Sequence, residues 1–386
     1  MTRLTRRAFL SGLAAAPFVA AAQPETMFAP WSPGLLDIHH IDSGRGNATF
    51  ILAPDGTTIL IDCGASDDGP DLSAPARPDG SRRPGEWVAA YAQRQARAAG
   101  RDDLDYLVVT HIHPDHVGGV GDVDRLMPAK LVIDRSYPDY GSLPPLDAPF
   151  ASNYLAWLDE RRRSGRKVAR IAVGSDSQIA PRRGGFALRA LAGNGRIWTG
   201  TGTDSRSLFP DIAIPQPSEN MLSMALRLTY GRFSYYTGGD LDCDTRDGRF
   251  PWMDVETPVA RAAGRVEVAV ANHHAYFDAC GPDFVRLLDA QAYVIPSWHV
   301  SHPGQAQIQR LLGDWPDVAR HDVFATEILP GNRMFNERFV RQLRSPQGHI
   351  VVRVAPGGES YSIFVLDSTR EESPVRLTCG PYICRV

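Results

Sequence analysis

Four side chains of metal-ligating type stand close together directly after a short apolar run at 104–109. Alternation along an extended segment places His111, His113 and Asp115 on one side of the chain. The intervening proline turn and the following glycine pair let His116 fold back toward the same point. Imidazole and carboxylate are good ligands for divalent zinc, iron or manganese, and burying them unpaired would cost several kcal/mol. The pattern therefore predicts a metal site at a strand end, with a solvated polar loop as the alternative.

The rest of the chain alternates strand and helix signals, with strand meanders near both ends. Strands are predicted at 35–41, 48–53 and 57–61, where turn residues separate short apolar runs. Further strands are predicted at 131–133, 168–173, 186–192, 222–230, 232–237, 266–271, 292–296, 348–354 and 360–366. Helices are predicted at 86–99, 154–163, 282–289 and 304–312, and loops at 65–85 and 200–217. Mixed elements without a dividing linker predict an α/β sandwich.

The N-terminus has the pattern of an export signal. Arg6 and Arg7 precede Phe9 and an alanine-rich apolar stretch that ends at Ala22. A basic start, a short apolar run and a small-residue end are typical of a secretory signal, and the paired arginines resemble the twin-arginine signal. We therefore expect residues 1–22 to engage the twin-arginine export machinery and to be removed. The product would be a periplasmic or secreted protein without a transmembrane span, because the apolar run is too short to cross a bilayer comfortably. An uncleaved anchor is the alternative.

The composition argues against a nucleic-acid partner. The 386 residues carry a formal net charge of -3, and removing the N-terminal arginines makes the rest more acidic. The five cysteines lack the paired Cys-x-x-Cys spacing of a structural zinc site. Cys379 and Cys384 are close enough in sequence for a small disulfide in an oxidising compartment, and their pairing stays open.

The His-x-His-x-Asp-His motif at the end of an apolar strand resembles the metallo-β-lactamase superfamily. The resemblance implies a four-layer αβ/βα sandwich with a binuclear metal site at one edge. It also implies that His111 and His113 bind the first metal, and that Asp115 and His116 bind the second.

Four further segments are similar to the DNA-internalisation competence branch of that superfamily. They are 41–48 with 60–64, the Ser/Asn-rich turn at 218–224, the Thr-Gly-Gly-Asp turn at 237–240, and the His-His pair that ends 268–274. They occur in the order found in that branch and extend from about 37 to 303. We therefore expect a metallo-β-lactamase-like domain at 35–303, with residues 304–386 as a C-terminal extension packed on the same domain.

The resemblance assigns the second half of the site and also shows a departure. Asp240 is expected to bridge the two metals, with a turn aspartate as the alternative. Either His273 or His274 is expected to be the last ligand of the second metal, and the sequence leaves the choice open. Many superfamily members have a further histidine where this chain has Asn220, so the first metal would be held more weakly or lack a protein ligand. Asn220 and His302 are candidates for contact with substrate or a weakly held metal.

Two more residues have expected supporting or structural roles near the cluster. Asp62 follows the third strand and is expected to accept a hydrogen bond from a ligand histidine. Cys63 is expected to be a buried free thiol. A partly buried loop histidine is the alternative account of His302.

Metal-assisted hydrolysis is the function expected of such a site. One or two divalent ions, zinc first with manganese or iron open, would activate water, and Asp115 would orient it. The competence branch suggests a phosphoester or phosphodiester, or another small ester-like molecule, from solution or the cell envelope. A lactonase or β-lactamase-like hydrolase is one alternative. A non-catalytic metal-binding or sensing protein on the same fold is another, suggested by Asn220.

Overall fold

The computed structural model describes residues 25–141, 146, 148–316 and 319–385. The expected export signal, residues 1–22, lies outside these described residues. Across the described ranges, no helix combines the length and the apolar character needed to cross a membrane.

The described residues form two large β-sheets. In chain order the strands are β1 (Leu36–His40), β2 (Thr49–Leu52), β3 (Thr58–Ile61), β4 (Leu104–Val108), β5 (Ala129–Asp134), β6 (Lys167–Arg170), β7 (Ala187–Gly193), β8 (Arg196–Trp198), β9 (Ser205–Ser207), β10 (Ala225–Tyr230), β11 (Phe233–Thr237), β12 (Val268–Val270), β13 (Ala292–Ile295), β14 (Asp322–Ala325), β15 (His349–Val354), β16 (Ser360–Leu366) and β17 (Val375–Ile383). The first sheet has the order β17-β16-β15-β1-β2-β3-β4-β5-β6, and the second has the order β14-β13-β12-β11-β10-β7-β8-β9.

Each sheet combines an antiparallel part with a parallel part. In the first sheet, β3 to β6 run parallel and the remaining pairs are antiparallel. In the second, β11 to β14 run parallel and β11-β10-β7-β8-β9 are antiparallel. Because the carboxyl ends of parallel neighbours share an edge, each sheet presents one edge where consecutive loops meet.

The two sheets pack face to face through a shared apolar core. Ile38 and Ile59 of the first sheet contact the same core as Leu226, Phe233 and Val294 of the second. Each of these side chains is at most 1% exposed. Burying one side chain of this size stabilises the fold by about 1.5–3 kcal/mol, so the alternate apolar positions of these strands hold the sheets together.

Helices cover the outer face of each sheet. They are α1 (Pro84–Ala96), α2 (Pro114–Val117), α3 (Val120–Leu126), α4 (Pro149–Arg163), α5 (Glu256–Ala263), α6 (Pro282–Leu288), α7 (Gln305–Leu312) and α8 (Pro330–Val340). Val88 of α1 and Leu158 of α4 pack with the first sheet. Phe284 of α6, Leu311 of α7 and Phe339 of α8 pack with the second. Helix, sheet, sheet and helix form four layers, which confirms the predicted fold class.

Most predicted elements occur within a few residues of their expected bounds, but α2, α3, β8, β9, α5, β14, α8 and β17 were not predicted. The loop predicted at 200–217 contains the short strand β9. Helix α8 shows one physical reason. Asn332 and Asn336 are buried and donate to the Pro303 carbonyl at 2.9 and 3.0 Å. Met334 and Phe335 on the same helix are 81% and 79% exposed. The usual placement of polar and apolar residues is inverted, so periodicity does not reveal the helix.

Candidate metal centre

The predicted ligands follow the carboxyl ends of strands from both sheets. In the first sheet, Asp62 follows β3, and the 111–116 ligand loop follows its parallel neighbour β4. In the second sheet, Asp240 follows β11, and the His273–His274 pair follows its parallel neighbour β12. The backbone N–H of His273 donates to the Gly239 carbonyl and joins the two loops of the second sheet. The backbone N–H of Met224, directly before β10, donates to the Thr110 carbonyl beside the ligand loop, and each bond is 3.0 Å long. The pairing of parallel strands therefore brings distant parts of the chain to one place.

The side chains form two groups of potential metal ligands that share one carboxylate. In each group, one ligand atom per residue lies within 4.8 Å of the others. The groups are His111, His113 and Asp240, and Asp115, His116, Asp240 and His274. We call them the first subsite and the second subsite. The sequence had placed five of these six residues in one site and had left His274 as an alternative to His273.

The first subsite lies around Nε2 of His111. This atom is 3.1 Å from Nδ1 of His113 and 3.6 Å from Oδ2 of Asp240. His111 is fully buried, whereas His113 is partly exposed. Two imidazoles and a carboxylate therefore converge, with one side of the group reachable from solvent.

The second subsite is more enclosed. His274 Nε2 lies 3.0 Å from Oδ2 of Asp115 and 3.6 Å from Oδ2 of Asp240. His116 Nε2 lies 3.2 Å from Oδ1 of Asp240. Asp240 thus has one oxygen near His116 and the other near both His111 and His274, so its carboxylate is within reach of ligands from both subsites.

A buried carboxylate fixes the ring of His116. Its Nδ1 lies 2.8 Å from Oδ2 of Asp62, as expected from the sequence. Asp62 also accepts hydrogen bonds from the backbone N–H and hydroxyl of Thr110, both at 2.8 Å, and from the side chain of Asn47 at 3.1 Å. With Nδ1 occupied, Nε2 of His116 presents its lone pair to the site.

The two rings of the histidine pair are also held from behind. His274 Nδ1 donates to the carbonyl of Pro296 at 2.8 Å. His273 Nδ1 pairs with Oδ1 of Asp278 at 2.7 Å. Each ring therefore turns its Nε2 toward the carboxylates of the site. Neither Pro296 nor Asp278 carried a sequence signal for this role.

The ligand loop needs a glycine opposite Asp115. The backbone N–H of Asn47 donates to the Asp115 carbonyl at 2.9 Å. The preceding Gly46 has a φ of +79°, and a Cβ there would lie 2.1 Å from the same carbonyl oxygen. Only glycine accommodates that conformation and that approach, so the Gly-containing turn seen in the sequence supports the site directly.

A buried ion pair supports the loop from the other side. Arg135 donates from Nε and Nη2 to the two oxygens of Glu219, both at 2.7 Å. Glu219 Oε1 also accepts the backbone N–H of Ile112 at 2.8 Å. Sequence reasoning missed this pair, because its members are 84 residues apart and the turn motif at 218–224 did not single out Glu219.

The acidic groups create a strongly negative potential at the site. Burial disfavours the charged ring of His116, but the surrounding carboxylates outweigh it and hold its pKa well above the usual value. They also raise the pKa of His274, against burial, to about 9. Burial would raise the pKa of Asp240, but the neighbouring histidines hold it well below the usual value. In the first subsite, burial lowers the pKa values of His111 and His113.

The donor set fits divalent cations. Nε2 of His116 is buried and has no hydrogen-bond partner, although Oδ1 of Asp240 is only 3.2 Å away. A buried nitrogen without a partner is costly unless something else occupies its lone pair. Nitrogen and carboxylate donors at these separations suit zinc, iron or manganese, so the residues present support metal binding without identifying the metal.

Asn220 and His302 lie beside the two groups without joining them. Asn220 donates from Nδ2 to Nε2 of His273 at 3.3 Å, and its Oδ1 is buried without a partner. His302 is 6% exposed, and its ring stacks on that of His274 with centroids 4.8 Å apart. This placement agrees with the buried-histidine account of His302 rather than with a substrate contact.

The cysteines take no part in these groups. Cys63 is fully buried, as expected, and donates its backbone N–H to the His116 carbonyl at 2.9 Å. Cys379 and Cys384 are free thiols, with Cys379 within β17 and Cys384 directly after it. Five residues of extended chain span roughly 17 Å, well beyond the roughly 7 Å reach of a disulfide, so the considered disulfide is absent.

Comparison with known proteins gives a family match over part of the chain. The model of the metallo-β-lactamase superfamily matches residues 41–188. This range contains the 111–116 ligand loop and ends before Asp240 and the histidine pair. With the ligand geometry, the match supports the predicted superfamily and a metallo-hydrolase. The resemblance to the competence branch of the superfamily remains a prediction. No curated protein matches the chain.

Three solved structures resemble the chain distantly. A proposed metal-dependent hydrolase from Parabacteroides distasonis shares 12% identity, with 76% of this chain and 94% of that one covered and a TM-score of 0.40. A diphosphatase of the PhnP family shares 12%, with 83% and 96% covered and a TM-score of 0.33. The diiron β-hydroxylase CmlA from Streptomyces venezuelae shares 11%, with 69% and 45% covered and a TM-score of 0.35. The chain thus spans about half the length of CmlA, and none of the three bears on its substrate.

Proposed function

We propose that the protein is an exported hydrolase that binds two divalent cations, zinc first, and uses water as its nucleophile. The observation that carries the proposal is that two groups of ligand residues share Asp240, and that the ligand atoms within each group lie within 4.8 Å of one another. Divalent cations in such a site supply Lewis acidity and make water a stronger nucleophile near neutral pH.

The residues of the chain divide the remaining work. The side chain of Asp115 is 12% exposed, compared with 4% for Asp240. Asp115 is therefore the carboxylate that water reaches more easily, which suits it to accept a hydrogen bond from the nucleophile and orient it. The more deeply buried Asp240 is suited to hold the two cations together.

A covalent mechanism through the nearby thiol is disfavoured. Burial, with Asp62 and Asp124 nearby, raises the pKa of Cys63 well above its usual value, so the reactive thiolate is scarce. Cys63 is also fully buried, which keeps it from a substrate. Direct attack by water is the simpler reaction for this arrangement.

The substrate class is proposed from the sequence resemblance and the charge. The competence-like order of motifs supports a phosphoester, a phosphodiester or another small ester-like molecule. The acidic net charge of -3 disfavours a long polyanion. The N-terminal signal pattern supports a periplasmic or secreted location, and therefore a small molecule or a component of the envelope as substrate.

A combined metal and activity measurement tests the proposal. Purified protein without residues 1–22 is reconstituted with zinc, manganese or iron, and its metal content is measured. Hydrolysis is then assayed with phosphodiester, phosphomonoester, lactone and β-lactam probes. We expect two metals per chain and turnover of at least one ester-type probe. His113→Ala should lose first-subsite metal and turnover together.

His299→Ala is the matched control, because His299 is a nearby histidine outside both groups that contacts Ser301 at 2.7 Å. It should keep both metals and full turnover. Fully loaded protein that hydrolyses none of the probes would instead identify a non-catalytic metal-binding protein.

A further inference from the structure

The first subsite has one protein ligand fewer than the second. It contains His111, His113 and Asp240, whereas the second subsite contains four residues. Asn220 stands close to it where superfamily members often have another histidine. A neutral amide is a weak ligand for zinc compared with imidazole, so the first subsite either stays open or takes a ligand from elsewhere in the chain.

We propose that His273 is that ligand and that the two adjacent histidines serve different metals, His273 the first and His274 the second. This inference rests on the proposed binuclear centre. Nε2 of His273 lies 3.8 Å from Oδ2 of Asp240, and Nε2 of His111 lies 3.6 Å from the same oxygen. Nε2 of His274 lies 3.6 Å from that oxygen too, so the side is decided by Asn220, whose amide contacts Nε2 of His273. The neighbouring Glu219 accepts the backbone N–H of Ile112, which lies between the two histidines of the first subsite. His273 therefore adds a third imidazole beside the first subsite.

The ring of His273 is prepared as a metal ligand. Asp278 accepts the Nδ1 proton at 2.7 Å, so the lone pair of the neutral ring is on Nε2. That lone pair accepts a hydrogen bond from Nδ2 of Asn220 at 3.3 Å. A carboxylate behind the ring is the usual partner of a metal-ligating histidine, and Asp62 plays the same part behind His116.

The backbone explains how two neighbouring side chains reach one site. In an extended strand, adjacent side chains point to opposite faces. After β12, however, His273, His274 and Ala275 have φ values of 47°, 53° and 59°. This left-handed turn costs about 1–2 kcal/mol per non-glycine residue. It brings both Nε2 atoms within 3.8 Å of Oδ2 of Asp240.

The hydrogen bond between Asn220 and His273 must break when a cation binds to His273. His273 belongs to neither group of ligands within 4.8 Å, and its Nε2 contacts the Asn220 amide. Binding exchanges that hydrogen bond for the cation. The side chain of His273 is 15% exposed, so the ring has room to make this small movement.

Zinc stoichiometry and affinity test the assignment without any enzymatic assay. Wild type, His273→Ala and the double variant His273→Ala with Asn220→His are titrated with Zn²⁺ against a chromophoric chelator. We expect two sites in the wild type. His273→Ala should weaken the first by at least about tenfold and leave the second unchanged. The double variant should restore the first site, because it returns an imidazole to position 220.

Asp278→Asn provides an independent variant if His273→Ala folds poorly. It keeps the ring but weakens its orientation, so first-site affinity should fall about 10–100-fold. Far-UV circular dichroism checks the fold of each variant, and His299→Ala is again the control. Unchanged binding of both zinc ions by His273→Ala and Asp278→Asn overturns the assignment. Wild-type protein that binds two zinc ions but hydrolyses no probe contradicts the proposed function and leaves this assignment intact.

Discussion

The two subsites around Asp240 differ in how completely the protein encloses and orients their ligands. All four residues of the second subsite are buried, and the rings of His116 and His274 are each fixed from behind by an oxygen. In the first subsite, which has only three ligand residues, His113 is partly exposed. The difference predicts that the second subsite retains a bound cation more firmly and that the first exchanges its cation more readily.

Removing the shared carboxylate is expected to have the largest effect. Asp240→Ala takes one ligand from both subsites and leaves their histidines without a common anion. Metal content should fall at both subsites, and turnover of any ester probe should fall at least about ten-thousandfold. Metal analysis and steady-state kinetics measure this. If Asp240→Ala still binds two metals tightly, Asp240 is a turn residue and the two subsites are independent.

Arg135→Met is expected to be the next largest change, and it acts on stability. The substitution leaves Glu219 buried without its ion pair, which typically costs about 3–5 kcal/mol. Urea unfolding measures the loss. Arg163→Met is the control, because Arg163 forms an exposed pair with Glu160 on α4 and should change the free energy of unfolding by less than about 1 kcal/mol. If the two variants lower the free energy of unfolding equally, the Arg135–Glu219 pair does not support the ligand loop.

Asp62→Asn is expected to lower the zinc affinity of the second subsite without affecting the first. The substitution replaces one acceptor oxygen by an NH2 donor, which would face either the backbone N–H of Thr110 or the donors from His116, Thr110 and Asn47. The zinc affinity of the second subsite should fall about 10–100-fold, while the first changes little. Zinc titration measures both. Asp102→Asn, an exposed carboxylate before β4, should change neither affinity. An equal loss at both subsites would contradict separate support.

His302→Phe is expected to have the smallest effect. Phenylalanine keeps the ring stacked on His274 and removes a buried Nδ1 that has no partner. Metal content should not change, and kcat and KM should each stay within about threefold of the wild type. A selective rise in KM of tenfold or more would instead show that His302 contacts substrate.

The contiguous half of the site was accessible from sequence because its geometry is local. His111 and His113 directly precede the short helix α2, which contains Asp115 and His116, so six consecutive residues supply all four side chains. The extended conformation predicted as far as Asp115 is wrong, because the helix begins at Pro114. The strands were accessible because short apolar runs between turn residues reveal most of them, whereas the four-layer arrangement was implied by the family resemblance. Asp240 was predicted only through the order of motifs, because its distance to the ligand loop depends on how two sheets pack.

The remaining features depend on contacts that no local pattern encodes. The sequence left His273 and His274 as alternatives, because the left-handed turn that directs both rings inward follows from tertiary packing. Asp278 and Glu219 were missed for the same reason, since their partners are identified only by the folded arrangement. The burial of His302 likewise follows from where the loop after β13 lies, not from its residue type.

The centre draws its ligands from both sheets, with Asp115 and His116 contributed after β4 and Asp240 and His274 after β11 and β12. A cation bound there is a cross-link between the two halves of the sandwich, and its binding energy adds to the cohesion of the apolar core. Metal affinity therefore depends on how the two sheets are aligned. A core substitution far from any ligand that shifts one sheet slightly over the other would lower metal affinity before it caused any loss of secondary structure.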